Sequence, residues 1–302
     1  MQRPTALLFA LSCLIATPLL AQTTSTPSIG GGTCNSSSLN GTYAVTLTGR
    51  QVTSAGAFTN VFQANGSATF DGLSAVTISL TADTPQSLGT SLPWSGTYSI
   101  QSNCEGQITV SIGGSATFNM VLYGVGTAGG TSFFLTGNDA TYTYSGSGNG
   151  QPASCSTGML SGVYTFNATG FELSGTAVSG AVDGAGLLQF DGQGNLNTSL
   201  TLVSLESTVS EAGSITGTYT LSNCVGSAML SDSKHSYSMS ISISAGNKTA
   251  DTTAFVTFSR SGTFMLSGTA HAAYGQPTSS PSAPTSSQPP PLSADALTGG
   301  LQ

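Results

Sequence analysis

Charge is scarce in this chain. Of its 302 residues, Lys and Arg number 5 and Asp and Glu 12, for a net charge of -7. The five cations, Arg3, Arg50, Lys234, Lys248 and Arg260, are scattered, so the chain lacks the basic stripe that phosphate contacts need, and a nucleic-acid partner is excluded. Histidine occurs only as His235 and His271. Nucleophilic catalysis needs a base beside its nucleophile, and no Gly-x-Ser-x-Gly elbow is present. Glycoside hydrolysis needs two facing carboxylates, whereas Asp71 and Asp191 each precede a glycine, where aspartate makes a turn. The cysteines lack the close pairs of a zinc site. The glycine-rich runs at Asp183 and Asp191 lack the acidic ligands of an EF-hand. The expectation is therefore a protein that is not an enzyme, with no catalytic residue, metal or cofactor. Helical periodicity is missing too, which leaves an all-β chain.

What is abundant is Gly, Ser and Thr, interleaved with Val, Ile, Leu, Phe and Tyr. Disorder needs low hydrophobicity with high net charge, so the body is expected to fold, with a surface of hydroxyls and backbone. The amino terminus carries Arg3, an apolar run from Ala6 to Leu20 broken by Pro18, and then Ala21 before a polar stretch. This reads as a signal peptide over residues 1–21, being too short and interrupted for a membrane span. No transmembrane span is expected after its removal, and the location is secreted, extracellular or periplasmic. Residues 22–33 read as a flexible leader, and residues 277–302, rich in Pro, Ser and Thr, as a disordered tail.

With Cys13 in the signal peptide, four cysteines remain: Cys34, Cys104, Cys155 and Cys224. Four permit three pairings. The spacings of 70 and 69 residues repeat, which favours Cys34 with Cys104 and Cys155 with Cys224.

That repetition is general. Leu39-Asn40-Gly41-Thr42-Tyr43 returns as Leu160-Ser161-Gly162-Val163-Tyr164; Phe70-Asp71-Gly72 as Phe190-Asp191-Gly192; Gly96-Thr97-Tyr98 as Gly217-Thr218-Tyr219; and Ser102-Asn103-Cys104 as Ser222-Asn223-Cys224. The offsets are 121, 120, 121 and 120. Phe133 to Gly137 then answers Phe264 to Gly268 at a larger offset, implying a loop insertion in the second unit. The chain divides into two β domains, 34–154 and 155–276. Short alternating runs, such as Tyr43/Val45/Leu47 and Phe58 to Gln63, are separated by turn residues and predict about eight or nine short strands per domain. Tyr237 to Ser244 is the clearest, apolar on one face and serine on the other. Such a pattern fits an antiparallel barrel or a β-sandwich, with the barrel preferred.

The lead-in followed by Gly41-x-Tyr43, and again by Gly162-x-Tyr164, resembles the Gly-x-Trp opening of lipocalin-like and avidin-like barrels, with tyrosine in place of tryptophan. Taken whole, the pattern is also similar to that of tandem β-repeat proteins exported by environmental bacteria such as acidobacteria, a likeness that implies export and architecture but no activity. An avidin-type biotin pocket relies on several tryptophans, and this chain has only Trp94. The functional expectation is a secreted or envelope structural and adhesive β-repeat protein that contacts a cell-surface polymer. The alternative is a carrier of a small hydrophobic ligand inside the barrel, lined by Tyr43, Tyr98, Tyr164 and Tyr219.

Overall fold

A computed structural model describes residues 33–52, 58–111, 115–125, 130–204, 208–245 and 252–273. The expected signal peptide, most of the leader and the whole tail lie outside the described residues. The first domain is a meander of β1 (Asn40–Val52), β2 (Phe58–Asp71), β3 (Ala75–Thr84), β4 (Ser87–Ile100), β5 (Glu105–Ser111), β6 (Ser115–Tyr123), β7 (Ser132–Asn138) and β8 (Thr143–Gly150). The second repeats it with β9 (Ser161–Ser174), β10 (Ala177–Asp191), β11 (Asn195–Ser204), β12 (Thr208–Ser222), β13 (Val225–Ser231), β14 (Ser236–Ser244), β15 (Thr253–Arg260) and β16 (Phe264–Ala272). In each domain every strand pairs antiparallel with its neighbours, and the first closes on the last. The fold is thus two closed eight-stranded barrels rather than sandwiches. Closure leaves no strand edge within either sheet to pair with another chain.

The strands are longer than expected. Phe58 to Gln63 and Ala68 to Phe70 belong to one continuous strand, β2. Alternation fails between them because Asn65 points outward yet is fully buried, while the inward position beside it is Gly66. A Cβ on Gly66 would lie 2.0 Å from the Ser79 carbonyl oxygen, and one on Gly186 would lie 2.1 Å from that of Ser199. Both domains therefore place a glycine in their second strand where a neighbouring backbone approaches closely, a device that lets a sheet curve into a barrel. The two kinds of Gly-x-Tyr have different causes. Gly41 and Gly162 have φ of +99° and +97°, which only glycine adopts freely. Gly96 and Gly217 are sites of close backbone approach, each with a neighbouring carbonyl 2.0 Å from where a Cβ would sit.

The last repeat landmark needs correcting. Phe264 to Gly268 lies in β16, which occupies the place of β8, not of β7. Leu122 and Ile243 donate backbone N–H to the carbonyls of Cys104 and Cys224, at 2.9 and 2.8 Å. That equivalence carries an offset of 121 onward, with Val121 opposite Phe134 and Ser242 opposite Phe255. The repeat thus stays in step through β7 and β15, and only a one-residue lengthening of the β13–β14 hairpin over that of β5–β6 intervenes. β8 starts only at Thr143, because the Asp139 carboxylate accepts the N–H groups of Thr141 and Tyr142, at 2.6 and 2.7 Å, and makes a turn before it.

The disulfides pair Cys34 with Cys104 and Cys155 with Cys224, both with Cα atoms 5.0 Å apart. Each ties the lead-in to the hairpin between the fourth and fifth strands of its barrel. Cys104, Asn223 and Cys224 have φ of 67°, 51° and 64°, the left-handed region that costs a non-glycine residue roughly 1–2 kcal/mol.

The serine face of β14 does not form surface. Met239, Ile241 and Ile243 enter the core, and Ser240, Ser242 and Ser244 are also at most 3% exposed, because barrel 1 covers them. Asn65 is the centre of this junction. Its amide donates to the Ser240 and Phe255 carbonyls, at 2.9 and 3.1 Å, and its oxygen accepts from the Ser240 hydroxyl at 2.7 Å. Ser242 donates to the Gly66 carbonyl at 2.6 Å, and Ser259 to the buried Asp83 carboxylate at 2.6 Å. Thr46 and Ser267 meet at 2.9 Å. Small hydroxyls let the two sheets approach closely while satisfying each other. An apolar cluster of Val61, Phe171, Leu173 and Met265 seals one end. Among the described residues no buried side-chain N or O lacks a partner, as a stable polar junction requires.

Candidate binding face

The barrel interiors are occupied by their own side chains. Tyr43 and Tyr164 meet Phe70 and Phe190 edge-on, at centroid distances of 5.5 and 5.4 Å. Tyr98 and Tyr219 meet the same two rings at 4.9 and 5.1 Å. All four tyrosines are at most 5% exposed. Their hydroxyls point to the barrel base. Tyr98 Oη is 3.0 Å from the carbonyls of both Ser36 and Leu39. Tyr219 Oη makes the equivalent contacts to Thr157 and Leu160, at 2.9 and 3.0 Å. Burial and then the Asp191 charge push the Tyr219 hydroxyl up to about 12, so it stays a neutral donor. These residues hold the 3-10 turns Ser36–Ser38 and Thr157–Met159 across the base. None of them lines the three depressions described below.

Asp71 and Asp191 make turns. The Asp71 carboxylate accepts N–H groups from Leu73, Ser74 and Ala75, and that of Asp191 accepts from Gln193 and Asn195. A related device at other hairpins escapes a search by constant offset. Asp139 receives Tyr144 Oη as well as its turn N–H groups, and Asp232 receives Tyr237 Oη at 2.8 Å with the N–H groups of Lys234 and His235. The shared spelling, Asp139-x-x-Tyr142-x-Tyr144 and Asp232-x-x-His235-x-Tyr237, was the available signal. It falls in the hairpin β7–β8 of one barrel and β13–β14 of the other. His235 Nδ1 lies 3.2 Å from Asp232, and His271 Nδ1 lies 3.4 Å from Thr253. Neither ring makes a hydrogen bond to a serine hydroxyl among the described residues.

Three depressions among the described residues open to solvent. One of about 570 Å³ lies at the β7–β8 end of barrel 1, between Arg50, Asn119 and Tyr142. Another, of about 400 Å³, lies on the outer face of β4–β6, between Gln101, Gln107 and Asn119. The third, about 520 Å³, lies on barrel 2 among Gln189, Asn195, Asn197 and Thr218.

Asn119 separates the first two, and the register shows why. Ser99, Gln107, Asn119, Thr136 and Ser145 stand opposite one another on β4 to β8, and all five are exposed. Beside this row, Val121 faces Phe134, and Phe134 stacks on Tyr123 at 4.9 Å and 22°. The Tyr123 hydroxyl is held by Asn149 at 3.3 Å. Phe134 is nonetheless 58% exposed. None of these residues stood out in the sequence, where an outward Phe on a strand reads as core.

No family model matches the chain, and no curated protein matches it. Among solved structures it is similar to the apo crystal structure of haemoglobin receptor HpuA from Kingella denitrificans, at 13% identity and a TM-score of 0.28, over 70% of this chain and 88% of that one. At that TM-score the likeness carries no functional argument.

Proposed function

We propose that this is a secreted or cell-envelope protein without catalytic activity, a structural and adhesive module that acts through the outer faces of its barrels. The observation that carries this reading is the occupied interior. The four tyrosines proposed to line a ligand site are buried against phenylalanines, and Tyr98 and Tyr219 also hydrogen-bond to the base, which supports an interior that stabilises the barrel. The outer faces present hydroxyls and amides, unlike the apolar band of a membrane-spanning barrel. Two disulfides in a chain with an amino-terminal export pattern support an oxidising compartment. Native mass spectrometry of protein purified from its own secretions tests the reading. The expected result is the mass of the bare polypeptide; a co-purifying small hydrophobic compound would establish the carrier instead.

A further inference from the structure

The duplication places an equivalent face on each barrel, and only one is covered. In barrel 2, Ser240, Ser242 and Ser244 of β14 and Phe255 of β15 are buried, with Ser240 and Ser242 bonded directly to barrel 1. The equivalent positions in barrel 1 are Asn119, Val121, Tyr123 and Phe134. Phe134 is 58% exposed where Phe255 is 4%. The barrel 1 face thus keeps the aromatic of a docking surface without a covering partner among the described residues.

We propose that this face, centred on Phe134, Tyr123 and Asn119, binds a neutral polysaccharide. Three features select that occupant. Phe134 and Tyr123 form a flat stacked platform of the kind that receives the C–H face of a pyranose ring. The neighbouring row from Ser99 to Ser145 crosses five strands, roughly 19 Å at the usual strand spacing. In it the amides of Gln107 and Asn119 have no hydrogen-bond partner within the described protein and are free to meet ring hydroxyls. Lastly, no residue of the row or the platform is charged. Glu105 stands opposite Val121, bonded to Asn103, and its negative charge disfavours an anionic polymer, while Arg50 lies at the far side of the row, so a neutral chain fits the face best.

A second copy of this chain fits less well. The contacts that join the two barrels set Asn65 and Asp83 against small serines and Gln63 against the Thr169 carbonyl. At the equivalent positions on barrel 2 the residues are Asp183, Ala185 and Val203, and on the barrel 1 face the serines are replaced by Asn119, Val121 and Tyr123. Neither half of the junction is reproduced on the surfaces that remain open, so it does not propagate from molecule to molecule.

This inference rests on the adhesive reading and names its partner. Affinity electrophoresis of the full chain through gels containing hydroxyethylcellulose, xylan, laminarin or dextran, with polygalacturonate as the charged comparison, tests it. At least one neutral polymer should retard the protein. Phe134→Ala and Asn119→Ala should weaken that retardation, the first by about tenfold, the order of an aromatic stacking contact. Leu187→Ala, an exposed change on barrel 2, should leave it intact, and Phe134→Ala should keep the wild-type circular dichroism. The proposal is overturned by no retardation in any neutral gel, by retardation that survives Phe134→Ala, or by equal retardation in polygalacturonate. Sedimentation showing a dimer that Phe134→Ala dissociates, without polymer binding, would assign the face to a second copy. Each of these failures leaves the bare mass of the secreted protein untouched, so it is separable from failure of the adhesive reading.

Discussion

Replacing Asn65 with alanine tests whether the two barrels are held together by buried polar contacts. Asn65 is fully buried and makes three hydrogen bonds across the junction, at 2.7, 2.9 and 3.1 Å. A net worth of about 1 kcal/mol each, with the added cost of leaving the Ser240 hydroxyl short of an acceptor, gives a loss of roughly 3–5 kcal/mol. Ser240→Ala removes one of the same bonds and the 2.7 Å contact with Thr257, for about 1–2 kcal/mol. Because the two changes share a bond, the double mutant should lose less than their sum, by about 1 kcal/mol. Guanidinium unfolding provides the assay, with far-UV circular dichroism for both barrels and fluorescence for Trp94, the one tryptophan in the chain, which sits in the barrel 1 core. A loss below about 0.5 kcal/mol for Asn65→Ala, or additivity within about 0.3 kcal/mol, would show that the junction is held by its apolar cluster instead.

Other consequences are measurable in the same way. Replacing Cys34 and Cys104 together by alanine opens a loop of 70 residues and should cost about 4 kcal/mol on chain-entropy grounds, read as a lower denaturation midpoint than that of the oxidised wild-type protein. Tyr219→Phe deletes the hydroxyl that closes the base of barrel 2 and should cost about 1–3 kcal/mol in thermal unfolding, while Tyr123→Phe, on the surface, should cost under about 1 kcal/mol. Asp83 is buried, and burial is the main cause that raises its pKa, against the Ser259 and Gly89 bonds that lower it. A raised folded value means that its favourable contribution is complete below the unfolded value of about 3.9 and is lost as pH climbs through the folded one. Asp83→Asn should therefore be more stable than wild type at neutral pH, with the difference vanishing below about pH 3.9; a difference that grows toward acid would refute the sign.

The duplication, the closed-barrel class and the cysteine pairing were legible because each leaves a local or periodic mark. Gly41 and Gly162 must be glycine for a backbone reason, and Phe70 and Phe190 occupy matching core positions, so the two copies spell them alike. The junction left no such mark. Asn65, Ser240 and Ser242 occupy outward strand positions, where Asn and Ser ordinarily meet water, and only the docking of a second barrel turns them inward. The same cause hid the full length of β2, whose alternation stops where an outward residue becomes buried. Misplacing Phe264 against Phe133 had a simpler origin: both precede a glycine four residues on, and spelling outweighed strand order. The exposed Phe134 was missed for the converse reason, since an aromatic on a strand normally belongs to the core.

Two copies of one barrel began with equivalent surfaces, and the present differences divide the work between them. Barrel 2 carries small hydroxyls on β14 and β15, which permit close approach, and barrel 1 meets them with Asn65 and Asp83, while Gln63 reaches the Thr169 carbonyl of β9. Had both copies kept both halves of that junction, each molecule would offer a docking face at either end, and open head-to-tail growth would follow. Ala185 and Val203 remove the hydrogen-bonding half from barrel 2, while Asn119, Val121 and Tyr123 remove the small-residue half from barrel 1. The chain joins its own barrels once and then stops. What that stop leaves on barrel 1 is a broad sheet face with a stacked aromatic pair, which the other described residues of this chain do not cover.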